Sequence, residues 1–410
     1  MLFSLLLHLY QPPTQDLRTT KRITEESYKP ILSILEKTQC KVNINLCASL
    51  TLQLKKLGEE ETLARLRSLA RKNCIEFTDS AAFHPILPRL SVYEIRKQIY
   101  LNREINEKII GNEFYRPKGF FPPEMAVSKR LLKVLIDTKI EWIVIDEYSY
   151  PKGVKKIPHN VFFYFNNERL NLSKNNETKV NKININISNT ENLPNKNLKI
   201  FFRNEKISTK IAYSDIESLE EFDLEYKKYD EQSNNYLLMA MDGETFGHHQ
   251  KSQINFLFDL LSNKKEHFVY VSEIEKYIRT KMPLVPLPSS WAVTDELMRK
   301  KIYWPKWSSP KNKIHAMQWR LTRLAFKNFP KDELIQNLLH QALHSDQYWW
   351  ASKTPYWHPG MIKKGAWMLI EVIRRNKLNN VILKQEGEKI YEEIVEIVGG
   401  QEERVEFLHW

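Results

Sequence analysis

The sequence predicts an α/β protein with a (β/α)7 barrel and a C-terminal helical domain. Short apolar runs recur along the first part of the chain with helical stretches between them, which is typical of parallel βα units. The 410 residues suffice for a barrel of roughly 250 residues and a smaller second domain. After three prolines, at positions 283, 286 and 288, the remaining chain is helical in pattern.

Seven apolar runs are the candidate strands of the barrel. One of them, Tyr236–Met241, has six apolar residues without a polar break, as expected for a strand buried on both faces. Segments with helical periodicity, such as Thr62–Lys72 and Val92–Ile109, lie between the runs. A doubly wound open sheet is the alternative, but no glycine-rich dinucleotide loop follows the first run. The seven runs are Leu2–Leu7, Val42–Leu46, Cys74–Phe77, Phe120–Phe121, Trp142–Ile145, Ile200–Phe202 and Tyr236–Met241.

The regular alternation breaks between residues 150 and 210. Tyr164–Arg169 and Lys182–Ser188 alternate polar and apolar residues, as half-exposed strands do. We therefore predict a small, asparagine-rich β insertion near residues 152–198 within a barrel of residues 1–282. Residues 283–410 are predicted to form a helical bundle that contributes to the substrate cleft. Its predicted helices are Lys313–Phe329, Lys331–His344, Gly360–Arg375 and Lys384–Val398.

The composition is that of an ordinary globular chain, with 42% hydrophobic residues. Three cysteines are too few for a disulfide framework and lack the spacing of a zinc site, so we expect buried thiols and a cytoplasmic location. The apolar start of the chain lacks the positive residues and the cleavage site of a signal peptide. No stretch approaches the roughly 20 apolar residues of a membrane span, and no membrane partner is expected.

A net charge of +12 raises the question of nucleic-acid binding. The lysines are interspersed with glutamates, and the one concentrated excess lies in a segment rich in lysine and asparagine, residues 152–210. Because no base-reading motif accompanies that segment, we interpret the charge as a solvated surface and expect no nucleic-acid partner. The sequence carries no information on the oligomeric state.

Polar side chains follow most of the predicted strands. In a barrel of parallel strands these ends share one face, where reacting groups collect. A single histidine or aspartate at a strand end more often has a structural role, but five such ends on one face favour a site. The side chains in question are His8, Gln11, Asp79, His84, Glu124, Asp146, Asp242 and Glu244.

Glu124 and Asp242 are the first candidates for catalysis. Two carboxylates from different strands that face each other across a cleft fit glycoside cleavage, in which one attacks or activates water and the other protonates the leaving oxygen. Nine of the ten tryptophans lie at or after Trp291. Several of these, including Trp349, stand among prolines, lysines and serines, where rings can stack on sugars, although core packing is the plain alternative.

In these motifs the chain resembles glycoside hydrolase family 57, α-glucan-acting enzymes built on a seven-stranded (β/α) barrel. The first family motif, a histidine followed by Gln-Pro, is similar to His8-Leu-Tyr-Gln11-Pro-Pro, which has two inserted residues. The motif that carries the nucleophilic glutamate is similar to Phe-Pro-Pro-Glu124. The Asp-x-Glu motif with the acid/base aspartate is similar to Asp242-Gly-Glu244.

Other segments resemble the amylase-like branch of the family. Phe83-His84-Pro85 has a histidine where glucanotransferases have a glutamate. Ser290-Trp291-Ala292 and Ser345-Asp346-Gln347-Tyr348-Trp349 are similar to the helical region of that branch, which lends aromatic residues to the cleft. The spaced first motif and the insertion depart from the family pattern, which affects subsites more than chemistry.

The resemblance implies a retaining, α-amylase-like hydrolase of α-1,4-glucans that forms a covalent glycosyl-enzyme. Glu124 would be the nucleophile and Asp242 the acid/base, with no metal and no cofactor. The partner implied is an α-glucan oligo- or polysaccharide. The residues implied in substrate binding are His8, Gln11, His84, Asp146, Glu244, His248, Trp291, Asp346 and Trp349.

Three alternatives remain open at this stage. A 4-α-glucanotransferase uses the same double displacement with a sugar acceptor. A metal-dependent polysaccharide deacetylase needs an aspartate and two histidines, but the adjacent His248 and His249 would point to opposite faces of a strand. A non-catalytic glucan-binding protein would lose a carboxylate, whereas Glu124 and Asp242 are both present.

Overall fold

A computed structural model describes residues 1–154, 157–166, 197–229, 235–353, 357–399 and 405–409. Strands within these ranges form two sheets. Each of the seven predicted apolar runs overlaps an observed strand. In chain order the strands are β1 (Leu2–Leu9), β2 (Val42–Leu46), β3 (Ile75–Thr78), β4 (Gly119–Phe120), β5 (Trp142–Asp146), β6 (Phe162–Asn166), β7 (Asn197–Arg203), β8 (Tyr236–Asp242) and β9 (Lys281–Pro283).

The two sheets meet at the ends of β3 and β4. The first sheet has the order β3-β2-β1-β8 and is parallel throughout, and the second has the order β4-β5-β7-β6-β9. The Asp79 N–H donates to the carbonyl oxygen of Gly119 at 2.8 Å, and the Phe121 N–H donates to the carbonyl oxygen of Asp79 at 2.9 Å. Parallel strands therefore follow one another in the order β8-β1-β2-β3-β4-β5-β7.

The closed (β/α)7 barrel that the sequence predicts is not confirmed. Among the described residues β7 and β8 form no ladder, and the Asn204 N–H, which donates to the carbonyl oxygen of Leu238 at 2.8 Å, is the main-chain link between them. One edge of β7 pairs with β5, and on the other edge Asn197–Ile200 pair antiparallel with β6, so this stretch of β7 is not open to β8. The observed fold is a mixed α/β structure with a helical C-terminal region.

The parallel strands are buried on both faces, and their alternation decides which side chains point inward. Leu6, Phe201 and Ala240 belong to a buried cluster that the strands enclose. The alternate residues of β1 and β8, such as Leu7 and Met239, point the other way and belong to a second cluster that includes residues of the neighbouring helices. Because side chains alternate along a strand, the inward series continues into the polar residues at the strand ends.

Helices connect the strands and make up most of the chain after residue 312. The four predicted C-terminal helices are observed with slightly shifted bounds, and the one that starts at Lys313 is capped by the Asn312 side chain, which accepts from the His315 N–H. The division into two domains at residue 283 stays a prediction. The main helices are Leu17–Ile23, Lys29–Thr38, Ala48–Lys56, Glu60–Arg71, Val92–Ile110, Lys129–Asp137, Glu205–Ala212, Leu219–Tyr226, Gln253–Asn263, Ile274–Tyr277, Asp295–Arg299, Lys313–Lys327, Glu333–Gln341, Asp346–Trp349, Pro359–Arg375 and Val381–Val398.

The predicted β insertion is described only in part. Its first strand corresponds to β6, which starts two residues before Tyr164 and pairs antiparallel with β7. The second predicted strand, Lys182–Ser188, lies outside the described residues. Within the described part of the chain, no helix combines the length and the apolar character that crossing a membrane requires.

Candidate active site

Glu124 follows β4 in an unusual backbone conformation. Its φ of 58° and ψ of 18° are left-handed, and Met125 after it also has a positive φ of 46°. Such a conformation is uncommon outside glycine and costs about 1–3 kcal/mol. The two prolines before Glu124 fix the approach of the chain. The fold therefore holds Glu124 in a strained backbone conformation that sets the direction of its carboxyl group.

Both carboxylate oxygens of Glu124 accept hydrogen bonds. The Ser345 hydroxyl donates to Oε1 at 2.7 Å, and the Trp291 indole N–H donates to Oε2 at 3.0 Å. The imidazole Nδ1 of His84 lies 3.7 Å from Oε1. Burial and then the charge of Asp346 raise the pKa of Glu124 to about 8, while the two donors oppose that shift.

Asp242 ends β8 beside His8, its partner in the parallel register. Its side chain is half-buried, and its carboxylate accepts no hydrogen bond from the described residues. Burial raises the pKa of Asp242, the charge of Arg203 lowers it, and Asp346 raises it. The charge of Asp242 also contributes to the raised pKa of Glu124, so these two carboxyl groups lie within electrostatic reach of each other.

The turn after Asp242 is packed tightly against β1. A Cβ added to Gly243 would lie 2.3 Å from Cδ2 of Leu9, so only glycine fits there without movement. Next in the chain, Glu244 accepts from the Gln11 side-chain amide at 2.8 Å and from the Tyr28 hydroxyl. Burial and then the charge of Asp242 raise the pKa of Glu244.

His8 and His84 each present a free ring nitrogen. Nδ1 of His8 lies 2.7 Å from Oδ1 of Asn45, an acceptor, because the Asn45 amide nitrogen donates to Thr78 Oγ1 at 2.9 Å. Nδ1 of His84 lies 3.0 Å from Oγ of Ser345, whose proton goes to Glu124. This network assigns the ring proton to Nδ1 in both residues.

The two Nε2 atoms are therefore acceptors. Both are buried and have no hydrogen-bond partner among the described residues. Burial lowers the pKa of His8 to about 4 and the pKa of His84 well below its ordinary value. Both rings are neutral at neutral pH, so each Nε2 can accept a hydrogen bond from a ligand hydroxyl.

Aromatic rings stack along one side of the site. The Tyr10 and His84 ring centroids are 4.1 Å apart, those of His8 and His84 are 4.8 Å apart, and those of His8 and Phe121 are 5.0 Å apart. The Tyr10 hydroxyl donates to Oδ2 of Asp346 at 2.5 Å. This stack ties the end of β1 to the C-terminal segment that carries Asp346.

Arg203, at the end of β7, connects Asp146 with β8. Its guanidinium donates to Oδ2 of Asp146 at 2.9 Å and to the carbonyl oxygen of Ala240 at 2.8 Å. Asp146 is fully buried, and its carboxylate faces Arg203. The positive charge of Arg203 thereby lies close to Asp242, two residues after Ala240.

Most of the sequence-predicted residues come together, and three have other neighbours. Asp146 pairs with Arg203 as described. Nδ1 of His248 lies 2.6 Å from Oε2 of Glu26, and the Trp349 ring lies edge-on to Trp350 with centroids 5.0 Å apart. The catalytic and substrate-binding roles assigned to these residues from the sequence stay predictions. Those within the cluster are His8, Gln11, His84, Glu124, Asp242, Glu244, Trp291 and Asp346.

The sequence reasoning missed several residues that hold this cluster. Arg203 directly follows the predicted strand Ile200–Phe202, so the strand-end argument used for Asp242 could have found it. Tyr10 and Ser345 directly precede Gln11 and Asp346, two of the predicted site residues. Asn45 is a polar residue within the apolar run Val42–Leu46. Tyr28, on the connection before Lys29–Thr38, had no signal in the sequence. Among the described residues, no three His, Cys, Asp or Glu side chains are arranged to hold a metal ion.

Known proteins similar to this chain point to one family. Residues 7–286 match the family model of Glycosyl hydrolase family 57. Alpha-amylase 1 of Dictyoglomus thermophilum is 28% identical over 165 residues, which are 40% of this chain and 23% of that amylase. The chain thus spans about a quarter of the length of this relative.

Solved structures share the fold at low identity. The 4-alpha-glucanotransferase from Thermococcus litoralis superposes with a TM-score of 0.65 at 17% identity, over 92% of this chain and 58% of that one. A GH57-type branching enzyme from Pyrococcus horikoshii gives a TM-score of 0.60 at 16% identity, over 97% of this chain and 96% of that one. With a family match over more than half of its length, the chain belongs to Glycosyl hydrolase family 57.

Proposed function

We propose that this protein cleaves α-1,4-glucans with retention of configuration, with Glu124 as nucleophile and Asp242 as acid/base. The observation that carries the proposal is the contrast between the two carboxyl groups. Glu124 is held through both oxygens by Ser345 and Trp291, whereas Asp242 is half-buried and has no donor from the described chain. The similarity to an alpha-amylase supports the substrate class.

In the first step an oxygen of Glu124 attacks the anomeric carbon. The bond from that carbon to the leaving sugar oxygen breaks, and Asp242 gives its proton to this oxygen. A glycosyl ester of Glu124 results. In the second step Asp242 takes a proton from water, whose oxygen attacks the anomeric carbon and releases Glu124 as a carboxylate.

The hydrogen bonds support this division of roles. A nucleophile must be fixed in position and ionised; the donors from Ser345 and Trp291 hold Glu124 in place and favour its ionised form. An acid/base must exchange protons with substrate and water, which the unbonded carboxylate of Asp242 allows. Burial raises the pKa of Glu124 to about 8, which by itself opposes a nucleophile at neutral pH. Burial also raises the pKa of Asp242, and the reactive form is the one in which Asp242 holds a proton and Glu124 is ionised.

Substrate hydroxyl groups would bind the neutral histidines. The Nε2 atoms of His8 and His84 are buried acceptors without a partner in the described chain, and a sugar hydroxyl can supply the missing proton. The stacked rings of Tyr10 and Phe121 border the same region. The hydroxyl groups of a pyranose ring would thus donate to the histidine Nε2 atoms while its apolar face contacts the aromatic rings.

The test is to trap the covalent intermediate. We expect the purified chain, incubated with 5-fluoro-α-D-glucosyl fluoride, to gain one fluoroglucosyl group on the peptide that contains Glu124. We also expect the first sugar released from maltoheptaose to be the α-anomer in a proton NMR time course. Label on the Asp242 peptide would reverse the roles, and a β-anomer product would show inversion. Glu141→Gln, at a partly exposed carboxylate remote from the cluster, is the matched control.

Transfer to a sugar acceptor is the second candidate activity. The same glycosyl ester can pass to a sugar hydroxyl in place of water, and a 4-alpha-glucanotransferase shares the fold. Incubation with maltoheptaose separates the two activities. Products that are all shorter than seven glucose units indicate hydrolysis, whereas longer products in addition indicate glucanotransferase activity.

A further inference from the structure

A basic groove lies outside the catalytic cluster, between the segment before the helix Val92–Ile110 and the C-terminal helices. It has a volume of about 720 Å³, which is within the range of small-molecule sites. Arg89, Trp319, Arg323 and Lys327 line it, and Leu324 and Phe326 add apolar surface. None of the residues placed in the catalytic cluster lines this groove.

The groove carries more positive than negative charge. Its carboxylate, Glu386, already pairs with Arg320 at 2.7 Å. Arg89, Arg323 and Lys327 have no acidic partner among the described residues. Burial and then the charge of Arg323 lower the pKa of Arg89, so the two guanidinium groups are close enough to repel each other. An anion between them would remove that repulsion.

Arg89 is positioned by an aromatic stack. The central carbon of its guanidinium lies 4.9 Å from the centroid of Trp319, and the Trp319 ring stacks on Tyr348 at 4.4 Å with an interplanar angle of 11°. The Trp319 indole N–H donates to the carbonyl oxygen of Trp307 at 2.8 Å, which fixes the ring. A guanidinium that lies over an aromatic ring can still donate hydrogen bonds from its N–H groups to a ligand.

We propose that this groove binds a phosphate monoester of sugar size, with the phosphate between Arg89 and Arg323 and the organic part against Leu324 and Phe326. A phosphate dianion matches two guanidinium groups in charge and in the geometry of their donors. Lys327 adds a third positive charge at the groove. The apolar surface distinguishes this site from one for a bare inorganic anion.

The experiment is calorimetric titration of the full chain, without glucan, with glucose 6-phosphate, inorganic phosphate and glucose. We expect saturable binding of glucose 6-phosphate, weaker binding of phosphate, and no glucose binding that depends on Arg89 and Arg323. The Arg89→Gln/Arg323→Gln variant should bind glucose 6-phosphate about tenfold or more weakly, the loss of charge-assisted hydrogen bonds. Lys327→Gln should weaken binding less.

Two control variants test whether the ligand binds in this groove. In Arg71→Gln, the lost guanidinium lies 5.1 Å from the Phe114 ring, an equivalent stack outside the groove, and binding should be unchanged. Glu124→Gln should bind glucose 6-phosphate equally well with and without excess maltoheptaose, which would place the ligand outside the catalytic cluster. Unchanged affinity in the double variant, or equal affinity for phosphate and glucose 6-phosphate, would overturn the proposal. If the double variant does not fold, Arg323→Gln alone carries the same test.

Discussion

Single residues in the site differ chiefly in how many contacts hold them. Glu124 is fixed by its left-handed backbone and by donors to both carboxylate oxygens. Asp242 has only electrostatic neighbours in the described chain, among them Arg203 and Asp346. This contrast is the basis of the roles proposed for the two carboxyl groups. The histidines complement this pair because their tautomers leave Nε2 as an acceptor.

Chemical rescue with azide tests the two catalytic assignments separately. We expect Glu124→Gly and Asp242→Ala each to lower kcat on α-maltosyl fluoride or maltoheptaose by about 10²–10⁴-fold. With sodium azide, Glu124→Gly should form the β-glycosyl azide, because azide attacks directly on the open face. Asp242→Ala should form the α-glycosyl azide, because azide replaces water in the second step.

The product anomers are read by NMR. The opposite pairing of variant and azide anomer would mean that the two roles are exchanged, and full activity in both variants would end the proposal. Circular dichroism of each variant serves as the folding control. Glu141→Gln again provides an unaffected carboxylate substitution.

Removing the Ser345 hydroxyl tests how the ionised form of Glu124 is stabilised. This hydroxyl lowers the pKa of Glu124, so Ser345→Ala should raise that pKa further. Since the reaction needs Glu124 ionised, the acidic limb of the pH profile of kcat/KM should move to higher pH. Ser345→Thr, which keeps a hydroxyl, should restore the original limb. A profile of unchanged shape with only a lower maximum would indicate a purely structural role for Ser345.

Strand ends are the elements that assemble the site. Along β1, β7 and β8 every second side chain points inward, and this series places His8, Arg203 and Asp242 after the inward residues Leu6, Phe201 and Ala240. The pairing of β1 with β8 then puts His8 next to Asp242. The turn that follows β8 is held in place by its contact with Leu9.

Substitution of Gly243 tests that turn. In Gly243→Ala the new Cβ would lie 2.3 Å from Cδ2 of Leu9, so either the buried Leu9 side chain or the turn that carries Asp242 and Glu244 must shift. We expect kcat/KM to fall by about 10-fold or more, because small misplacements of reacting groups are costly. Adding Leu9→Ala should recover part of the loss by opening space, and Leu9→Ala alone is the control. No recovery in the double variant would show that the contact with Leu9 is not the cause.

At the scale of the whole molecule, the C-terminal region completes the site. Ser345 and Trp291, both beyond residue 283, donate to Glu124, and the Ser345 N–H donates to the carbonyl oxygen of His84 at 3.0 Å. Core residues of β5 and of the helix Pro359–Arg375 belong to one buried cluster. We therefore expect the site to open when the chain unfolds, so that the Tm depends on the protonation of the carboxyl groups inside it.

The pH dependence of stability follows from the raised pKa of Glu124. Its folded-state pKa of about 8 lies above the ordinary 4.5, so its protonated form favours folding and that contribution is lost as pH rises from about 4.5 to 8. Glu124→Gln stays neutral throughout. We expect the Tm of Glu124→Gln, measured by calorimetry, to rise relative to the Tm of the wild type as the pH increases from 5 to 9. A Tm difference that is constant with pH would contradict this account.

The sequence by itself determined the strands, the C-terminal helices and most of the polar residues in the cluster. Apolar runs such as Tyr236–Met241 are visible in the local pattern alone; Asp242 stands directly after this run, and Glu124 stands three residues after the run Phe120–Phe121. Tertiary structure alone decided that β6 pairs with Asn197–Ile200 of β7 and that β7 and β8 form no ladder among the described residues. It also decided that Ser345, 221 positions away, donates to Glu124. Strand pairing and distant side-chain contacts depend on how whole elements pack, and no local period encodes that packing.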